Sequence, residues 1–162
     1  EPEISGQAID QLIAMLETDP TASIATLMSP IRDRSRLENP ACVKVVSDGR
    51  GRALYFSRSP IPHARSWDDV LLNSQPAIFN QHIGLYAYRR EFLMQLATLP
   101  KSPLEELEKL EQLRFLQAGY SILVGTIEHA PKGIDTPDDY RAFVRRTSVV
   151  DRSADPTHRS SK

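Results

Sequence analysis

His82-Ile83-Gly84-Leu85-Tyr86-Ala87-Tyr88-Arg89 lies near the middle of a 162-residue chain and decides how its neighbours are read. Ile83 to Tyr88 is a short apolar and aromatic run, the signature of a buried strand, and Arg90 to Leu99 follows it as a helix. Side chains alternate along a strand, so His82, Gly84 and Tyr86 are expected on one face. The glycine leaves room there for a ligand or another backbone.

Working outward, Ser23 to Met28, Ala41 to Val46 and Ala53 to Phe56 read as strands. The last two flank Ser47-Asp48-Gly49-Arg50-Gly51-Arg52, whose Asp48-Gly49 pair is expected to supply the positive φ of a hairpin turn. Ile4 to Thr18 carries Ile9, Leu12, Ile13 and Leu16 at helical spacing and stops at Asp19-Pro20. Arg58 to Gln81 shows no clear element, and loops of that length are usually functional or mobile. Downstream, Ser102-Pro103-Leu104-Glu105 is a capping box with Pro at the first helical position. It opens a helix expected to run to Ala118 and close at Gly119. Ser121 to Ile127 is a further strand, and Thr136-Pro137-Asp138-Asp139 opens a last helix. Helices alternating with short β-branched runs predict an α/β layered domain.

Bulk composition narrows the function classes. Lys+Arg 20 against Asp+Glu 21 leaves a formal net charge of -1, which argues against nucleic-acid binding through a broad basic field. Cys42 is the single cysteine; its apolar setting predicts a packed core thiol and suits a reducing cytoplasm. No apolar run approaches the roughly 20 residues needed to span a bilayer. The four histidines, His63, His82, His129 and His158, lack zinc-ligand spacing, and no Gly-rich phosphate loop or Ser-His-Asp order is present.

Three sets of polar residues are candidates for chemistry. Leucines at 104, 107, 110, 113 and 116 recur every three residues, so on a continuous helix their stripe winds and places Glu111 between Leu104 and Leu107. A carboxylate on a buried face needs a partner, although a partly exposed glutamate in a charge-rich helix fits the same pattern. Asp135 falls just outside the helix that Thr136 caps, either as a plain Asx turn or as a free carboxylate. Arg58, at the end of a strand, is either solvated or a planar fork for a carboxylate.

These segments together resemble one family, the cytidylyltransferases that activate the eight-carbon acid sugar 3-deoxy-manno-octulosonate (Kdo) as CMP-Kdo. The resemblance rests on the His82 to Arg89 phrase, on Leu110-Glu111-Gln112-Leu113-Arg114, on Gly133-Ile134-Asp135-Thr136-Pro137 and on Tyr55-Phe56-Ser57-Arg58 with Ile61-Pro62. It implies the nucleotide-diphospho-sugar transferase fold, a three-layer α/β/α sandwich on a mixed sheet. It further implies that Arg58, His82, Tyr86, Glu111 and Gln112 contact Kdo and that Asp135 is a ligand of Mg²⁺. CTP and Kdo would be the substrates, CMP-Kdo and pyrophosphate the products, and a cytoplasmic homodimer the setting, serving lipopolysaccharide biosynthesis.

Glu1-Pro2-Glu3-Ile4 is similar to the tail of the family's Gln-Gly-Asp-Glu-Pro-Glu-Ile turn. The expectation is therefore a C-terminal portion, with residues 1–147 forming the sugar-binding and dimerisation part and residues 148–162 a flexible tail. The family's phosphate loop, cytosine-recognising segments and first metal aspartate have no counterpart in the sequence. His63-Ala64-Arg65-Ser66-Trp67 departs from the family's Trp-x-Arg after Ile-Pro. Two other readings stay open: a noncatalytic binding module derived from such an enzyme, and activation of a related acid sugar.

Overall fold

A computed structural model of the chain describes residues 4–128 together with 140, 141, 144 and 145. The chain divides into two compact units, Ser5–Ala130 and a second made of Glu1–Ile4 with Pro131–Lys162. In the second, Tyr140, Arg141, Val144 and Arg145 are helical. The start of the helix expected at Thr136 and the expected tail lie outside the described residues.

Ser5–Ala130 is built on a five-stranded mixed sheet in the order β3-β2-β4-β1-β5. The strands are β1 (Ile24–Pro30), β2 (Lys44–Ser47), β3 (Ala53–Ser57), β4 (Asn80–Tyr88) and β5 (Ile122–Thr126). β1 runs antiparallel to β4 and parallel to β5, so it is paired on both sides. β2 and β3 form the expected antiparallel hairpin, and β2 joins β4 at Lys44 opposite Gln81. Positive φ in that hairpin falls on Gly51 (75°), not on the Asp48-Gly49 pair. The reason is Asp48, whose Oδ1 accepts the backbone N–H groups of Arg50 and Arg52 and so winds the turn one step later.

Helix α1 (Gly6–Thr18) starts at Ser5, whose Oγ accepts the N–H of Ala8 at 3.2 Å. Ala8, Leu12 and Leu16 form its buried stripe. Gly125 of β5 makes this approach possible, because a Cβ there would lie 2.6 Å from Met15 Sδ and 2.8 Å from Gln11 Nε2. At the other end of α1, the Arg89 guanidinium donates to the carbonyls of Leu16, Asp19 and Ala22. It satisfies helix-end carbonyls that would otherwise be orphaned, and fixes α1 to the end of β4.

The main core gathers Ile24, Val45, Phe56, Phe92, Leu113, Phe115 and Ile122, all nearly inaccessible. Burying each such side chain contributes about 1.5–3 kcal/mol. A second cluster of Ile31, Leu37, Cys42, Leu72 and Phe79, with Trp67 packed on it, lies beside α2 (Arg34–Glu38). Cys42 is buried there as expected, although the strand begins at Lys44 and not at Ala41. The stretch from Arg58 to Gln81 carries more order than its sequence suggests. A 3-10 turn, Asp69–Asn73, is capped by Asp68, and Trp67 stands 5.8 Å from Phe79.

The largest departure from the sequence reading concerns the helix after Ser102. The capping box forms as expected, but the helix ends at Glu108, and Lys109 takes a left-handed conformation with φ 57°. A second helix follows, so that α3 (Arg90–Leu96) is succeeded by α4 (Pro103–Glu108) and α5 (Gln112–Gln117). Leucines three apart cannot stay on one face of a 3.6-residue helix. The break at Lys109 restores the phase: Leu107 is 81% exposed, whereas Leu110 and Leu113 return to the core.

Candidate functional site

β4 carries an aromatic ladder that continues into α3. The ring centroids are 5.4 Å apart for His82 and Tyr86, 5.6 Å for Tyr86 and Tyr88, and 5.9 Å for Tyr88 and Phe92. The pairing register with β1 shifts here: Thr26 opposes Tyr86 while Leu27 opposes Ile83. Gly84 and Leu85 bulge out of the ladder between them, which re-aims the neighbouring side chains. A Cβ at Gly84 would meet nothing within 4 Å, so the space expected beside that glycine is present.

His82 is 8% exposed, with the Phe56 ring edge-on at 4.9 Å. Its backbone N–H donates to the Val43 carbonyl at 2.8 Å, which ties β4 to the start of β2. Its Nε2 lies 2.9 Å from Thr26 Oγ1. Burial lowers the imidazole pKa from 6.5 to about 4, so the ring is neutral near neutral pH. Burial likewise drives the Tyr86 hydroxyl far above its ordinary range, with the charges of Tyr88 and Glu111 adding to it. Tyr88 is pushed up to about 12, first by burial and then by the Glu111 carboxylate.

Tyr86 and Tyr88 pack on the core cluster that contains Leu110 and Leu113, so Glu111, which stands between those leucines, lies beside the ladder, but not where a continuous helix would put it. Glu111 stands at the N-cap of α5, after the Lys109 break, with its side chain 58% exposed. The projection onto a buried face fails because the helix is two helices. Arg114 holds Glu111 from below through Nη2–Oε1 at 3.0 Å. The same guanidinium makes a two-pronged contact with Glu105, 2.9 Å from Nε to Oε2 and 2.8 Å from Nη2 to Oε1. Both of those side chains are nearly buried, at 13% and 12% exposure, so the pair is well screened from water. Gln112 is buried and its amide makes no side-chain hydrogen bond among the described residues. Such an amide is free to satisfy a hydroxyl.

Arg58 reaches the same region from β3. Its Nε donates to the Glu108 carbonyl at 2.7 Å, Nη1 to the Pro40 carbonyl at 3.0 Å and Nη2 to the Lys109 carbonyl at 3.4 Å. Three of about five guanidinium N–H groups are used in this way, leaving two for a ligand. Arg58 therefore clamps the α4–α5 turn that leads into Glu111. Beneath it, Lys44 is fully buried and donates its three N–H bonds to the carbonyls of Asn39, Cys42 and Arg58. Burial lowers the Lys44 pKa, opposed by the nearby Cys42 and Glu108.

Thr26, Lys44, Glu108 and Arg114 support the site, and the sequence reading did not single them out. A lysine inside the apolar run Ala41 to Val46 was the one visible signal, since a buried ammonium must find carbonyl or carboxylate partners. Asp135, the expected metal ligand, lies outside the described residues. Among the described residues no group of three His, Cys, Asp or Glu side chains is gathered for a metal ion. No described helix is long and apolar enough to cross a membrane.

The chain is similar to known proteins over most of its length. A family model described as cytidylyltransferase matches residues 1–122. The 3-deoxy-manno-octulosonate cytidylyltransferase of Rhodopirellula baltica is 50% identical over 147 residues, covering 90% of this chain and 59% of that protein. That of Syntrophotalea carbinolica is 47% identical over 141 residues, covering 86% of this chain and 56% of its own length. The solved structure of CMP:2-keto-3-deoxy-manno-octonic acid synthetase complexed with CTP matches with a TM-score of 0.80 at 37% identity, over 93% of this chain and 59% of that one. The chain thus spans less than two thirds of the length of these relatives, at 59% and 56%. The mixed open sheet with its helices has the nucleotide-diphospho-sugar transferase fold expected from the sequence.

Proposed function

Because the chain belongs to the cytidylyltransferase family, we propose that it is the acid-sugar-binding part of a 3-deoxy-manno-octulosonate cytidylyltransferase. The complete enzyme joins CTP and Kdo to give CMP-Kdo and pyrophosphate. One observation carries this reading beyond family membership: Tyr86 on β4, 5.4 Å from His82, packs on the core cluster that contains Leu110 and Leu113, the two residues of the α5 region that flank Glu111.

In this reading Glu111 accepts hydrogen bonds from sugar hydroxyls, and the unpaired Gln112 amide donates and accepts beside it. His82, held neutral, offers a ring nitrogen without adding charge. Tyr86 remains a phenol at any working pH and can donate. Arg58 turns its remaining N–H groups toward the sugar carboxylate. These residues orient the anomeric hydroxyl for in-line attack on the α-phosphorus, with pyrophosphate leaving. Asp135 would be one carboxylate holding Mg²⁺, which when bound neutralises charge on the phosphate oxygens. A cytoplasmic homodimer supplying lipopolysaccharide biosynthesis belongs to the same proposal.

Expressing the chain together with the coding sequence in frame upstream of it, and following pyrophosphate release with CTP, Mg²⁺ and Kdo, tests this directly. Kdo-dependent release by the longer protein, and none by the 162-residue chain, is the expected result. A folded longer protein that releases no pyrophosphate with Kdo would overturn it.

A further inference from the structure

Thr26 is inaccessible to solvent at the centre of the sheet, and its hydroxyl has three close polar neighbours. They are the Leu85 carbonyl at 2.8 Å, the Ile83 carbonyl at 3.1 Å and His82 Nε2 at 2.9 Å. A hydroxyl has one proton to give and two lone pairs to receive. Carbonyl oxygens cannot donate, so an oxygen held 2.8 Å from one of them without a proton between would be repelled. The single Thr26 proton is therefore shared between the two carbonyls as a bifurcated bond, the shorter arm to Leu85. The remaining contact, to His82, then runs the other way, with Nε2–H as donor and Thr26 Oγ1 as acceptor.

The consequence falls on the opposite nitrogen. A neutral imidazole with a proton on Nε2 has a bare lone pair on Nδ1. Among the described residues Nδ1 has no hydrogen-bond partner, and it is not among the sealed polar atoms without one. The bulge at Gly84 and Leu85 is what makes the arrangement possible, since it turns both carbonyls toward Thr26.

We propose that Thr26 is a positioning residue that fixes His82 as the Nε2–H tautomer, so that Nδ1 accepts a hydrogen bond from a hydroxyl of the acid sugar. The ligand half of this inference rests on the proposed function; the tautomer half does not. His82 thereby reads a donor, complementary to Glu111, which also accepts, and to Gln112, which does both. A substrate lacking the recognised hydroxyl leaves Nδ1 desolvated and unpaired, and so binds less well.

Nitrogen NMR of the labelled 162-residue chain decides the tautomer without any ligand, because a protonated ring nitrogen and a bare one resonate far apart. His82 is expected to show protonated Nε2 and bare Nδ1. Thr26→Ser, which keeps the hydroxyl, should preserve that signature, and Thr26→Val, which keeps only the shape, should shift it toward the other tautomer. Titration with Kdo should find Thr26→Val about tenfold weaker than the parent and Thr26→Ser within about threefold. Protonated Nδ1 in the parent, or an unchanged signature in Thr26→Val, would overturn the proposal. If Thr26→Val does not fold, Thr26→Ala replaces it, and the parent spectrum alone still decides the tautomer. The expected tautomer without any Kdo binding by the parent or by the longer protein would instead sink the functional reading. The expected tautomer with Kdo binding equal in all variants would remove Thr26 from the site.

Discussion

Lys44 and Glu108 hold the same residue from opposite sides. The Arg58 N–H donates to Glu108 Oε2 at 3.0 Å, and the Arg58 carbonyl accepts from Lys44 Nζ at 2.5 Å. Glu108 Oε1 also accepts the Ser57 hydroxyl at 2.6 Å. A buried ammonium and a carboxylate are thus joined through one stretch of main chain, and the Arg58 guanidinium returns to the Glu108 and Lys109 carbonyls. Replacing Lys44 by Met should destabilise the fold by about 3 kcal/mol, because three carbonyls lose a charged donor that nothing else can replace. Chemical denaturation monitored by circular dichroism measures it. A loss below about 0.5 kcal/mol would mean that water substitutes freely for the ammonium.

Arg114 gives a separate prediction about the proposed sugar contacts. Arg114→Lys keeps the charge but cannot reproduce a two-pronged grip on Glu105 together with a contact to Glu111. The variant should lose about 1–2 kcal/mol of stability and weaken Kdo binding severalfold. Calorimetric titration beside a thermal melt separates the two effects. Unaltered Kdo affinity in a destabilised protein would show that Glu111 holds its place without Arg114.

The His82 imidazole predicts a definite pH dependence. Its pKa is lowered on folding, from 6.5 to about 4, so the unfolded chain binds the proton more readily. Stability is fully present above the unfolded value and is lost as pH falls toward the folded one. Between about pH 7.5 and about pH 5 the loss from this group should be about 2 kcal/mol. Urea unfolding at the two pH values, in the parent and in His82→Gln, isolates it. The parent should show the larger loss.

Lys109 is an inexpensive site for stabilisation. A lysine at φ 57° bears a left-handed penalty that glycine does not. Lys109→Gly should raise stability by about 1 kcal/mol, since the change relieves a clash at a turn that glycine prefers. Thermal unfolding measures it, and a lower midpoint would show that the αL geometry costs lysine nothing there.

The sequence showed much of this architecture because local chemistry announced it. Ser102 and Glu105 carry their own capping box, and Ile24 to Met28 and Ala53 to Phe56 are β-branched or apolar runs with few alternatives. What stayed hidden depends on contacts distant in sequence. The break at Lys109 follows from matching two helices to one core, and nothing at Lys109 itself signals it. The projection of Glu111 onto a buried face fails at the break, whereas the alternative of a partly exposed glutamate holds, and its proposed role rests on the resemblance of Leu110 to Arg114. Thr26 reads as an ordinary strand residue until the bulge in β4 brings two carbonyls to it.

β1 is paired on both flanks by strands that arrive much later in the chain. Thr26 and His82 are 56 positions apart, and the Gln11 side chain meets the Thr126 carbonyl across 115. Loops of that length must close before the sheet gains anything from its hydrogen bonds, so the Ser5–Ala130 unit should fold slowly for its size. A ribosome has to deliver β5 before β1 is covered on both sides. Until then the emerging chain presents an apolar strand, Ile24–Pro30, with one open edge. The interval between synthesis of β1 and synthesis of β5 is thus when this polypeptide is most exposed to aggregation and most in need of a chaperone.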